Sequence, residues 1–131
     1  MKGFSTDIET TTLENEHFRK VLYTSKHMQL VLMSLKPGEE IGLETHHDNY
    51  QFFRFEGGNG KCIIDGNEYE VKDGDAIIIP AGAKHNVISS GTTSLKMYTI
   101  YAPPHHKDGI VRATKKEAEA DAPDFDGATT E

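Results

Sequence analysis

The 131-residue chain has one cysteine, no tryptophan and no unbroken apolar run approaching the length of a membrane helix. Each shortage excludes something. The lone thiol, Cys62, cannot close an internal disulfide, and in KCIID it reads as a small apolar strand residue rather than a reactive group. A membrane-spanning helix needs about 20 consecutive apolar residues, so no membrane is expected as a partner. The opening MKGFSTDIETTTLENEH lacks a charged-then-apolar leader pattern, and a cytoplasmic location is the expectation. Basic residues are scarce as well: 14 Lys and Arg stand against 21 Asp and Glu, a formal net charge of -7. Without a concentrated basic patch, nucleic acid is not expected as a partner either.

Helical periodicity is almost missing, and strand signals replace it. FRKVLYTS, MQLVLMSL, NYQFFRFEG, GKCIID, EYEVK, DAIIIP, HNVISS and SLKMYTIYA are short runs rich in β-branched and aromatic residues. Turn formers separate them, among them Lys36-Pro37-Gly38, Asp65-Gly66-Asn67, Asp73-Gly74-Asp75 and Ser90-Gly91. The pattern predicts an all-β antiparallel sandwich or barrel. MQLVLMSL is apolar at both parities, as in a strand covered on both faces, and IDGNEYEV carries a hairpin signal.

A chain of this length is expected to form one domain, burying about two thirds of the surface its unfolded form exposes. The boundaries read as a loosely held polar arm over 1–17, the β-barrel over 18–104 and a tail over 105–131. In that tail ATKKEAEADA predicts a short surface helix before a disordered end. The apolar content of FRKVLYTS and MQLVLMSL exceeds what a small barrel can bury, which predicts a homodimer through strand pairing or sheet faces.

Two blocks carry the chemistry. Gly38 is followed after five residues by Glu44, after one by His46, after four by Gln51 and after six by Gly58. Gly74 is followed after five residues by Pro80, after one by Gly82 and after two by His85. These blocks resemble the two motifs of the cupins, G(X)5HXH(X)3-4E(X)6G and G(X)5PXG(X)2H(X)3N, with every interval preserved. The resemblance spans Gly38 to Ser89 and implies a double-stranded β-helix, the jelly-roll barrel of that family. Glu44 stands at the first histidine place, Gln51 at the glutamate place and Ser89 at the terminal asparagine place. Cupins carry their metal on the histidines and glutamate of those positions, so the resemblance makes Glu44, His46, Gln51 and His85 the candidate metal ligands.

Elementary chemistry is compatible with that set. Strand residues two apart share a face, so Glu44 and His46 can reach one point; the plainer reading of the two is a solvated pair. Two histidines and a carboxylate suit a divalent ion such as Mn, Fe, Zn or Ni. Gln51 has two readings, a neutral oxygen donor to the ion or a hydrogen-bond partner that orients substrate or water. With Gln51 inward, Phe53 and Phe55 point inward too, as pocket wall or as core. His47 is expected to face solvent at the Asp48-Asn49 turn, and His105 and His106 to lie on a proline-stiffened surface loop. The resulting expectation is a metal-binding cupin that binds a small polar metabolite at an open position and can transform it. Isomerase, decarboxylase and dioxygenase chemistry are all compatible with that expectation. The alternative is a non-catalytic ligand-binding or sensor domain with a structural metal.

Overall fold

Glycines and Asx residues cut the chain into strands, and the pairing that follows is antiparallel throughout. The computed structural model describes all 131 residues. In order they form α1 (Ile8–Glu14), β1 (Arg19–Thr24), β2 (Gln29–Leu35), β3 (Glu44–Thr45), β4 (Tyr50–Gly57) and β5 (Asn59–Ile64). There follow β6 (Asn67–Lys72), β7 (Ala76–Ile79), β8 (Lys84–Ser89), β9 (Leu95–Ala102), β10 (Val111–Arg112) and α2 (Lys115–Ala120). One sheet has the order β10-β1-β2-β9-β4-β7 and the other β3-β8-β5-β6. Each of the eight runs read from the sequence supplies one strand, and the fold is the expected all-β barrel with a short C-terminal helix.

Local sequence explains the joints. Asp65 and Gly66 both take positive φ, 47° and 82°, closing the β5–β6 hairpin in the two-residue form that Asp-Gly favours. At Gly58 the need for glycine is absolute: φ is +84°, and a Cβ there meets the Ser94 carbonyl oxygen at 2.5 Å.

The inner face of the six-stranded sheet is layered. Across one row run Gln29, Tyr101, Gln51 and Ile79, in register with Thr24. Deeper rows are mainly apolar, with Val31, Met33, Phe53, Phe55 and Met97 at 1% exposure or less and with Thr99 and Arg19 as buried polar members. They pack on Cys62 and Val87 of the facing sheet, and burial pushes the Cys62 thiol up to about 11. Phe53 and Phe55, stacked at 6.1 Å, therefore fill the core beneath the polar row instead of lining an open pocket. Truncating either to alanine costs about 3–5 kcal/mol.

Both ends of the chain depart from expectation. The polar arm contains α1, capped by Asp7, whose carboxylate accepts from the Thr10 N–H at 3.2 Å. It packs on the outer face of β9 and β4. The Lys96 ammonium reaches the Asn15 carbonyl and the Glu16 carboxylate. Leu32 points outward from β2 yet is only 1% exposed, beside a hollow that Thr11, Glu14 and Asn15 also line. Of the second apolar parity of MQLVLMSL, Leu32 is thus covered within the chain, whereas Met28 is exposed. No periodicity announced α1 because its seven residues span barely two turns and three of them are threonine. The tail is tied down too. Ile110 and Ala118 join the core, β10 pairs with β1, and Thr130 bonds with both the N–H and the C=O of Thr24. No helix is long and apolar enough to cross a membrane.

Candidate metal centre

The site forms where the two motif blocks meet at one end of the barrel. β3 and β8 are paired so that Glu44 lies directly opposite His85. The Gly82 N–H donates to the His46 carbonyl at 2.8 Å, which fixes the second block's turn to the first block's histidine. Gly82 meets this geometry with φ of +88°. At the far end of the blocks, the Gly38 N–H donates to the Ser89 carbonyl and the Ser89 N–H to the Glu39 carbonyl. Ser89, at the asparagine place, therefore does its work through the backbone.

Three donor atoms converge. One ligand atom each of Glu44, His46 and His85 lies within 4.8 Å of the others. His46 Nε2 and Glu44 Oε2 are 3.0 Å apart, as two same-face strand residues should be. His85 is buried, and its Nδ1 lies 3.0 Å from the Ala83 carbonyl. A carbonyl only accepts, so Nδ1 carries the proton and Nε2 is left with its lone pair. Burial opposes the ionised form of Glu44, but the hydrogen bond from His46 and the electrostatic influence of His46, Arg19 and His85 outweigh it and hold the carboxyl below its usual range. Burial in turn lowers the His85 pKa, favouring the neutral ring.

This donor set fits a divalent ion. Metal–ligand bonds of about 2.0–2.2 Å bring donors to roughly 3–4 Å from one another, so small side-chain rotations close the three on a common point. Gln51 is placed differently. It sits across the barrel on β4, opposite Tyr101 and 2% exposed, and its Oε1 is buried without a hydrogen-bond partner. Tyr101 links it to the triad, since its ring is 5.8 Å from that of His46. An orphaned buried carbonyl oxygen is costly, and a nearby cation, ligand or water is the kind of partner that offsets it.

Two expectations about the remaining histidines separate here. His47 is exposed at the rim. His105 and His106 do not lie on a surface loop. The His105 ring is 4.3 Å from that of His46, and His106 is 5% exposed with Nε2 3.3 Å from the Tyr101 hydroxyl. Asn49 holds the loop by donating to the Pro103 carbonyl at 2.6 Å, and Gln29 holds it further on. Burial lowers both histidines, His106 to about 2, and raises the Tyr101 phenol. All three are thus neutral near pH 7. Spacing could not reveal them, because the loop leaves the sheet after β9 and folds back through side-chain contacts. The hint available was YAPPHH itself, histidines four and five residues after an inward-facing tyrosine.

A hollow of about 370 Å3 opens beside the triad, lined by His46, His47, His105, Asp124 and Phe125 among others. Another hollow of about 430 Å3, between Met1–Phe4 and the C-terminus, contains none of the donor atoms.

Residues 31–101 match the cupin domain family. The chain belongs to the cupins. This cupin is 46% identical over 125 residues to YrkC, an uncharacterised protein of Bacillus subtilis, with 91% of this chain and 67% of that protein covered. It is 40% identical over 116 residues to the uncharacterised protein L612 of Acanthamoeba polyphaga mimivirus, covering 86% and 72% of the two chains. Among solved structures, BH2720 of Bacillus halodurans superposes with a TM-score of 0.90 at 44% identity, over 92% of this cupin and 96% of that chain.

Proposed function

We propose that this cupin holds one divalent metal ion on Glu44, His46 and His85, with Gln51 facing it from the opposite sheet, and presents a small polar metabolite to it. The observation that carries the reading is the convergence of the three donor atoms within 4.8 Å at the end of a barrel with an apolar core cluster. Such an ion, when bound, supplies Lewis acidity toward a carbonyl oxygen or water. Three strong protein donors leave positions for a ligand, whereas a closed structural site takes four. That difference favours ligand presentation over a purely structural metal.

The chain's own residues divide the remaining work. The Ala83 carbonyl orients His85, and the neutral His105 ring packs against His46 at the mouth. Tyr101, kept protonated by burial, retains a hydroxyl hydrogen close to the polar row. The mouth hollow, with His47, Asp48 and Asp124 at its rim, is the route by which a polar molecule arrives.

Elemental analysis of the purified protein, produced without added zinc or nickel, tests the assignment. Close to one divalent ion per chain is expected, with His46→Ala and His85→Ala each losing it and His47→Ala keeping it. Full occupancy in either of the first two variants would reject the site.

A further inference from the structure

We propose that Arg19 is the anion-binding residue of this site, so that the metabolite presented beside Glu44, His46 and His85 is a small carboxylate. The second point of attachment, the metal, rests on the reading above; Arg19 itself does not.

Arg19 opens β1 and faces inward, level with Met33 of β2, and it is 7% exposed. A buried guanidinium normally has a carboxylate to match, because stripping an ion of water costs several kcal/mol unless a partner and hydrogen bonds replace the solvent. Arg19 has none. It takes part in none of the chain's ion pairs, and its Nε has no hydrogen-bond partner. The Phe18 ring lies 5.4 Å from the guanidinium carbon, a weak attraction that leaves the donors free.

The nearby acids are already engaged. Glu44 is bonded to His46 at 3.0 Å, and Glu119 pairs with Lys115 at 3.7 Å. These residues, with Arg19, surround a hollow of about 180 Å3 between β1, β3 and α2, whose other walls include Phe18, Ile41 and Ala118. Arg19 and Glu44 thus border one space, in which the Glu44 carboxylate is bonded to His46 while the Arg19 Nε–H has no hydrogen-bond partner.

The chemistry of that space selects its occupant. A planar fork of N–H donors matches a carboxylate bidentately. The volume lies below the roughly 300–1,000 Å3 of drug-sized sites, and the apolar walls suit a short carbon skeleton. Phosphate fits less well, since its second charge needs another free cation and Lys115 is already paired. A short carboxylic acid carrying a second oxygen, such as a 2-oxo or 2-hydroxy acid, can place its carboxylate on Arg19 and that oxygen toward the triad.

The test is calorimetry on manganese-reconstituted wild type, Arg19→Met and Arg19→Lys, with pyruvate, glycolate and malonate as carboxylates. Pyruvamide serves as the neutral analogue of pyruvate and inorganic phosphate as the competing anion. Wild type is expected to bind at least one carboxylate, and to prefer pyruvate to pyruvamide where pyruvate is the one bound. Arg19→Met is expected to weaken carboxylate binding about 10- to 100-fold with manganese content unchanged, and Arg19→Lys to fall between. Unchanged carboxylate affinity in Arg19→Met, failure of every carboxylate to bind wild type, or a preference for phosphate would each overturn the proposal. If wild type takes up no manganese, the metal reading fails separately. The metal-free protein then decides on Arg19: a carboxylate-induced rise in melting temperature that Arg19→Met abolishes supports it, and an equal response in both overturns it.

Discussion

The Gln29 side chain grips the backbone of His106 from both sides: Oε1 accepts from its N–H at 3.0 Å, and Nε2 donates to its carbonyl at 2.7 Å. The same Oε1 accepts from the His105 N–H at 3.2 Å. Gln29 is fully buried, so one amide on β2 satisfies three backbone groups of the loop that carries His105 to His46.

Gln29→Leu leaves those groups without partners, and each orphaned buried group costs about 1–3 kcal/mol. The variant should therefore lose several kcal/mol in urea unfolding, and its metal affinity should drop as His105 leaves His46. Gln29→Glu keeps the acceptor and loses the donor, so a smaller loss is expected. Wild-type stability in Gln29→Leu would show that the loop does not depend on this amide.

Gln51 invites a comparison of two states. Its Oε1 is unpartnered, so Gln51→Leu should leave the metal-free protein at least as stable as wild type. The same change should weaken metal binding about 10- to 100-fold if the amide orients or completes the coordination sphere. Gln51→Glu adds a carboxylate facing the cation and should hold metal at least as well. Melting curves with and without Mn or Zn compare all three proteins. Equal metal responses throughout would put Gln51 outside the site.

Acid should destabilise the metal-free fold in a defined window. Burial depresses the pKa of His106 to about 2 and lowers those of His85 and His105. Below the unfolded value of about 6.5, the unfolded chain binds protons that the folded chain refuses, so stability falls as pH falls, by about 1.4 kcal/mol per unit for His106, with His85 and His105 adding in the same direction. The lowered Glu44 carboxyl contributes in the same direction at more acid pH, its stabilisation being lost as pH drops through the folded value. Urea titrations between pH 7 and 4 should show this slope, and His106→Gln should reduce it by close to one proton. A flat profile in wild type would contradict the neutral, buried state of these rings.

Deleting residues 1–17 removes α1 and uncovers Leu32 and Lys96. Exposure of one leucine alone costs about 1.5–3 kcal/mol, so the truncated protein should have a lower denaturation midpoint and a larger exposed apolar surface. An unchanged midpoint would mean that the arm contributes nothing.

Alternation, turn chemistry and motif spacing are local in the chain, and what depends on them was legible. The eight long strands, the Asp65-Gly66 hairpin, the shared face of Glu44 and His46 and the approach of His85 all follow from residues a few positions apart, or from two blocks at set intervals. What tertiary structure alone decided has a different physical origin. α1 is too short to show a period, and its place on the sheet comes from Leu32 and Lys96 lying beneath it. His105 and His106 reach the site because Gln29, 77 residues before His106, bonds the loop that carries them. Arg19 looks like an ordinary strand cation in RKVLYT. Only the closing of β1 against β3 shows that its guanidinium is buried and that its Nε–H is left without a hydrogen-bond partner. Sequence periodicity records which face a side chain takes, whereas the partner it meets there depends on which distant strands are brought together.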